Sequence, residues 1–244
     1  TENGVTLIEG TNIPIGTCTS STTFYNNREG KTVKMSNIDM QKLAGGTYDA
    51  ITYSNHLPSN GLIYAIRSGS VKTYVCTPDG RTQITGFHIA GELVGLSALA
   101  SGRYSCEARA LETSSVCRVE AERLDELAQT IPSIQYQMLK IMSGHIRRDE
   151  ELMLLLGKRG AEERLAEYLV GLSRRFSARN YSSTQFHLSM SRGDIGNYLG
   201  IAEETVCRIL ARFQAAGLIV MNRREVRLID LPQLEAVGRI SAAA

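Results

Sequence analysis

The sequence predicts an α+β protein: an antiparallel β domain, then a long helix, then a winged helix–turn–helix towards the C-terminal end. Three observations carry this reading. Short strands punctuated by turn residues fill the first half of the chain. Apolar residues recur by four and three along Ser133 to Leu156. Ser191 to Phe213, SRGDIGNYLGIAEETVCRILARF, reads as two short helices joined by a tight turn.

Residues 1 to about 120 are rich in Thr, Ser, Val, Ile and Gly. Leu62 to Ile66, Ser70 to Cys76 and Arg81 to Phe87 read as strands, separated by Ser68-Gly69 and Pro78-Asp79-Gly80. Regular short strands of this kind suggest an antiparallel sandwich or barrel. The first 45 residues read as irregular strands with a short helix near Asp39 to Leu43.

The composition changes at Glu120, which divides the chain into residues 1–120, 121–156 and 157–244. Ala121 to Gln129 is a short helix, Pro132 punctuates it, and a longer helix runs from Ser133 to Leu156. Its seam is Ile134, Met138, Ile141, His145, Arg148, Leu152 and Leu155. Six or so turns span about 36 Å at 1.5 Å per residue. Apolar ends around a polar middle suit a dimer seam whose register is set by buried polar groups. Met138, Ile141, His145, Ile146, Asp149 and Leu152 are its expected members. The alternative is a helix lying on the β domain. Gly157-Lys158-Arg159-Gly160 is expected to be a hinge before a helix from Ala161 to Phe176.

In the C-terminal part, Ser191 can cap a helix, with Asp194 three residues on completing a capping box. Ile195 and Leu199 share one face of that helix, and Gly200 tolerates the turn. Val206, Ile209, Leu210 and Phe213 line the inward face of the second helix, leaving Glu204, Cys207, Arg208 and Arg212 outward. A short helix presenting Glu and Arg, held by another across a glycine turn, is what major-groove reading requires. Gly217 closes it, Leu218 to Met221 reads as a strand, Asn222-Arg223-Arg224 as a turn and Glu225 to Ile229 as the returning strand. That is a wing, and its arginines suit phosphate.

The 244 residues, 43% hydrophobic, suffice for one large or two ordinary domains. A net charge of +2 hides an asymmetry: residues 157–244 hold 13 Lys and Arg against 9 Asp and Glu, and residues 1–156 hold 14 against 16. The basic end is the end with the helix–turn–helix, as attraction to a phosphate backbone wants. No apolar run reaches the roughly 18 residues of a membrane span, and Thr1 to Gly10 does not read as a secretory signal. Five scattered cysteines do not make a disulfide framework, so a reduced, cytoplasmic protein is expected. An enzyme is not expected. Gly95 to Leu99 lacks the second glycine of a nucleophile elbow, and no phosphate loop or His-Glu-x-x-His site occurs.

The chain resembles the CRP/FNR superfamily of bacterial transcription regulators, most closely its FNR subgroup. The resemblance is most specific in LLLGKRGAEERLAEYLVGLSRRF, LSMSRGDIGNYLG and EETVCRILARF, and extends to YAIRSGSVKTY, QITGFHIAGELVG and ALETSSVC. It runs from about Leu62 to Phe213, with weaker likeness to about Gly238. It implies a β-roll of the cyclic-nucleotide-binding kind, a dimerisation helix, and a homodimer that binds TTGA(T)-N-(A)TCAA-type palindromes in double-stranded DNA and recruits RNA polymerase. The family's recognition pattern of Glu, two residues, Ser and Arg falls on Glu204, Cys207 and Arg208, which are expected to contact bases. Arg192, Arg212, Arg223 and Arg224 are expected to contact phosphate. The loops near Pro78 to Arg81 and Ala98 to Arg103 are the expected polymerase contacts.

Cys207 stands where the subgroup carries serine. It is either a small side chain touching a thymine methyl or a thiol whose oxidation sets negative charge against phosphates. Cys117 matches the internal cluster cysteine of FNR, but Cys18 is the only cysteine before Cys76, so no cofactor and no metal are expected. Gly91-Glu92 resembles the turn that holds a cyclic nucleotide, yet its Arg-Ser pair is replaced by Arg103 one place early and Tyr104-Ser105. That pattern resembles the FixK-type branch, implying control by abundance and cysteine oxidation. A cyclic-nucleotide-responsive or iron–sulfur oxygen-sensing regulator of the same fold is the alternative.

Overall fold

A computed structural model describes residues 62–239, together with the backbone of three short strands before them. Those are β1 (Thr6–Leu7), paired antiparallel with β2 (Pro14–Ile15), and β3 (Thr22–Phe24). The helix expected near Asp39 to Leu43 lies outside the described residues. The chain divides into two compact units, Thr1–Ser143 and Gly144–Ala244.

In the first unit β4 (Leu62–Ser68), β5 (Ser70–Cys76), β6 (Thr82–Ile89), β7 (Leu93–Val94), α1 (Ala98–Ser101), β8 (Glu107–Ala110) and β9 (Ser114–Glu120) build two antiparallel sheets. Their strand orders are β3-β9-β4-β7 and β6-β5-β8. Side chains alternate along a strand, and β4 uses both faces. Tyr64 and Ile66 join Val71, Val94, Ala98, Tyr104, Ala108 and Val116 in one core. Ile63 and Ala65 join Leu93, Cys117, Leu124 and Ile134 in a second.

The second core needs a cover, and helices supply it: α2 (Ala121–Thr130) and the start of α3 (Pro132–Lys158). Met138 and Ile141, expected on the dimer seam, are half-buried and pack against this core. A helix advances about 100° per residue, so the neighbouring face is what remains outside. It carries Leu139, Met142, Ile146, Asp149 and Met153, at the alternating three and four spacing of a coiled-coil seam. Leu139 is 58% exposed, Ile146 60% and Met153 66%. Of the six residues expected at the seam, Ile146 and Asp149 lie on this stripe, while His145 and Leu152 are half-buried beside it.

The second unit holds the rest of α3, then α4 (Ala161–Ser177), β10 (Gln185–His187), α5 (Arg192–Leu199), α6 (Glu203–Ala215), β11 (Ile219–Asn222), β12 (Glu225–Leu228) and α7 (Leu231–Arg239). Gly157 and Lys158, expected in a hinge, are the last residues of α3, and only Arg159 and Gly160 link it to α4. Leu165, Leu169 and Leu172 of α4 are buried, and α4 packs against α5, α6 and α7, beside which the β10-β12-β11 sheet forms. The strand β10 and the helix α7, absent from the sequence reading, complete that sheet and cover α4. No helix among the described residues is long and apolar enough to cross a membrane.

The two reader helices touch at Gly196, where a Cβ would stand 2.5 Å from the Ile201 carbonyl oxygen. Gly200, at a φ of 64°, makes the left-handed turn between them. In an open helix Gly→Ala stabilises by up to about 1 kcal/mol, so the contact reverses the sign. Gly196→Ala is expected to lower stability by about 1–3 kcal/mol through overpacking. Gly144→Ala, where a Cβ meets nothing nearer than 4.0 Å, is expected to raise it slightly. Urea denaturation of both variants checks this.

Candidate nucleic-acid interface

The reader begins at a well-formed cap. The Ser191 hydroxyl oxygen accepts the Asp194 N–H at 3.0 Å, and the Ser191 N–H donates to the Asp194 carboxylate at 3.1 Å. This reciprocal pair satisfies two of the N–H groups that a helix start leaves unpaired. Ile195 and Leu199 of α5, and Val206, Ile209, Leu210 and Phe213 of α6, are all buried. With that face committed to the core, Glu204, Cys207 and Arg208 are exposed together on the opposite face of α6. The Arg208 guanidinium donates to Thr205 Oγ1 at 3.4 Å, one turn back along the helix.

The arginines expected at phosphates divide into two kinds. Arg223 is exposed at the tip of the wing, in a left-handed conformation with φ 54° that is uncommon outside glycine. Arg192, from the first turn of α5, is half-buried and donates to the Arg223 carbonyl at 3.2 Å and to Met221 Sδ at 3.7 Å. Burial lowers the Arg192 pKa below the usual arginine value, opposed by the Cys207 charge and reinforced by Arg224. Arg224 donates to the Ser189 carbonyl at 3.2 Å. Arg212 pairs with Glu162 at 2.9 Å.

Arg192 and Arg224 thus brace the wing against the entry to α5, and the Leu188 N–H adds a bond of 2.8 Å to the Arg224 carbonyl. One further pair is not legible in the sequence. His187 and Glu225 stand opposite each other in the β10–β12 register, with Nδ1 2.9 Å from the carboxylate, and line an open cleft with Asn222, Arg223 and Arg224. Only the strand pairing reveals them, because β10 is three residues long and has no periodicity to read.

Residues 163–237 match the Crp-like helix-turn-helix domain family, and residues 53–131 match the cyclic nucleotide-binding domain family. The chain is 50% identical over 178 residues to the transcriptional activator protein anr of Pseudomonas aeruginosa, covering 73% of each protein. This chain belongs to the CRP/FNR family of transcription regulators. It is 49% identical over 166 residues to the fumarate and nitrate reduction regulatory protein of Escherichia coli K12, covering 68% of this chain and 66% of that one. Among solved structures it is similar to FixK2 from Bradyrhizobium japonicum, with 31% identity, a TM-score of 0.68, and 80% of this chain and 94% of that chain covered. As a CRP/FNR regulator the chain is a sequence-specific DNA-binding protein rather than an enzyme.

The β unit of this CRP/FNR regulator uses its family-like positions structurally. Glu92 is buried, and its carboxylate accepts the Ile89 N–H at 3.1 Å across the turn. Tyr104 is buried, with its hydroxyl donating to the Leu62 carbonyl at 2.9 Å, and Arg103 and Ser105 flank it on the outside. Arg103 and Ser105 therefore do not form the inward pair that a cyclic phosphate needs. Cys117 is buried in the second core, and Cys18 lies outside the described residues. Among the described residues no three or more potential ligands gather around a metal site.

The expected roles of Arg208 at a base and Arg223 at a phosphate give two classes of substitution. Arg208→Ala is expected to remove roughly 1–3 kcal/mol of discrimination at one base position. Arg223→Ala is expected to weaken binding to all sequences alike and to reduce the slope of log K against log salt by about 1. Titrations at several salt concentrations, with cognate and single-base-changed duplexes, read both effects.

Proposed function

We propose that the chain is a homodimeric transcription activator that reads twofold-symmetric TTGA-type sites, contacts RNA polymerase and loses DNA affinity when Cys207 is oxidised. The observation that carries this reading is the exposed Glu204, Cys207 and Arg208 face of a helix whose other side is wholly buried. In this proposal Arg208 makes a bidentate bond to guanine O6 and N7, and Glu204 accepts from a cytosine or adenine amino group. Arg223 meets phosphate directly. Arg212 does so by exchanging its exposed partner Glu162, a pair worth about 0–1 kcal/mol.

Two recognition helices reach successive major grooves only if held about 34 Å apart. The exposed α3 stripe of Leu139, Met142, Ile146 and Met153 is the proposed interface, with the Asp149 charges opposing one another within it. Residues 1–120 then form a sensor-like part, 121–156 the dimerisation part and 157–244 the DNA-binding part. The proposed polymerase surface is the exposed β5–β6 hairpin, where the Arg81 Nε donates to Asp79 at 2.7 Å, together with the exposed turn at Gly102 and Arg103 that ends α1. The relatives named as activators support activation over repression.

Cys207 is exposed beside the arginines of the reader. Burial, and after it the Glu107 charge, raises the Cys76 pKa. Burial also raises that of Cys106, against a hydrogen bond from Ser105. The thiolate is the reactive form, so both shifts act against oxidation at Cys76 and Cys106. A sulfinate at Cys207, about 4 Å from a phosphate, costs on the order of 1–4 kcal/mol at effective dielectrics of 80 to 20.

Binding to a TTGA-type palindrome and to a scrambled duplex, under thiol reductant, is the direct test. The wild type is expected to prefer the palindrome, and equal affinity for both duplexes would remove the proposal. Ile146→Glu is expected to sediment as a monomer and to lose the palindrome preference. Peroxide treatment is expected to reduce wild-type affinity more than tenfold and to spare Cys207→Ser; an equal loss in both would remove Cys207 from the account.

A further inference from the structure

Arg164 lies in the first turn of α4, is not among the residues assigned to DNA, and is half-buried. It donates to three backbone carbonyls belonging to three separate segments. Nη2 reaches Leu156 in the last turn of α3 at 2.8 Å, Nε reaches Arg159 in the linker at 2.9 Å, and Nη1 reaches Leu199 at the end of α5 at 2.9 Å. A helix leaves its last carbonyls without partners, and they carry the negative end of its dipole. One cation therefore closes the C-terminal ends of two helices. The turn packs over it closely: a Cβ on Gly200 would stand 3.3 Å from Arg164 Nη1 and 3.7 Å from Leu156 Cδ2.

We infer that Arg164 is a positioning residue for DNA recognition, tying the end of α3 to the turn between α5 and α6 and so fixing where the recognition helix stands relative to α3. The inference rests on the reading of α3 as the element that joins two subunits on a twofold site. On that reading the distance between the two recognition helices depends on how firmly each reader is held to its own half of α3. A displacement of about 3.4 Å is one base-pair step. Only two residues, Arg159 and Gly160, separate α3 from α4, yet α5 follows α4 by a longer path. A covalent link alone does not fix the α5–α6 turn against α3. The planar fork of arginine meets three carbonyls at once, which the single ammonium of lysine does not.

The test uses the full chain, reduced, as wild type, Arg164→Gln and Arg164→Lys. Fluorescence anisotropy measures binding to duplexes with two TTGA-type half-sites at the preferred spacing and at spacings longer or shorter by one and two base pairs. A duplex with one half-site base changed reports base reading separately. The wild type is expected to lose about tenfold or more on a one-base-pair change of spacing, comparable to a mismatched base pair. Arg164→Gln is expected to bind all spacings within about threefold of one another while keeping the wild-type response to the changed base, and Arg164→Lys to fall between.

A wild-type spacing profile in Arg164→Gln overturns the assignment. So does a loss of base reading in proportion to the loss of spacing preference, which marks a merely structural residue. Should Arg164→Gln fail to fold, Arg164→Lys carries the comparison, and a wild-type profile there overturns the assignment equally. Failure of the parent reading is visible without any variant, as indifference of the wild type to spacing, and overturns both.

Discussion

At Gly196 the helices of the reader approach so closely that only a hydrogen side chain clears the Ile201 carbonyl oxygen, and the C-terminal unit is organised by that approach. Where α5 and α6 meet, Ile195 and Leu199 of the one and Val206 and Ile209 of the other are all buried. Burying side chains of this kind contributes about 1.5–3 kcal/mol each relative to leaving them exposed. Such a contact fixes the rotation of α6 about its own axis. That rotation is what puts Glu204, Cys207 and Arg208 outside together. A looser turn would leave the same residues on the helix without a defined direction in which to present them.

Positive charge in this unit is largely used within the protein. Arg164 holds three carbonyls, Arg192 and Arg224 brace the wing, Arg174 pairs with Glu167 and Glu235, and Arg212 pairs with Glu162. The surplus of basic residues over acidic ones therefore overstates the number of cations free for phosphate. The distinction is energetic. An exposed ion pair such as Arg212–Glu162 exchanges partners at little cost. Withdrawing a half-buried guanidinium from a carbonyl leaves a polar group to be resolvated or unpaired, at about 1–3 kcal/mol. Bracing the wing this way holds Arg223 on a fixed backbone at its tip.

In the β unit, the two-faced burial of β4 has a consequence for the long helix. One face of the strand packs within the β-roll, and the other needs the helices α2 and α3. The start of α3 is thereby committed to its own β core through Ile134, Met138 and Ile141. The apolar residues left over, Leu139, Met142, Ile146 and Met153, form a stripe far larger than scattered surface hydrophobics require. Family-like positions in the same unit have been turned to structure, with Glu92 closing a turn and Cys117 filling the core.

Strand alternation from Leu62, the cap at Ser191 and Asp194, the period of Val206, Ile209, Leu210 and Phe213, and the motifs of the CRP/FNR family were legible from local order. Each depends on residues within a few positions of one another, and local geometry dictates them. The two faces of α3 were not separable that way. Both are apolar at helical spacing, and which is covered depends on a strand some seventy residues earlier. Nor does residue type tell which arginine bonds within the protein: Arg192, Arg223 and Arg224 look alike in sequence, and only the fold brings carbonyls to two of them. What the amino-acid order determined by itself was the set of elements and the reading face of α6. Tertiary structure alone decided which apolar face and which cations remained free, because a side chain's availability is set by partners that are distant along the chain.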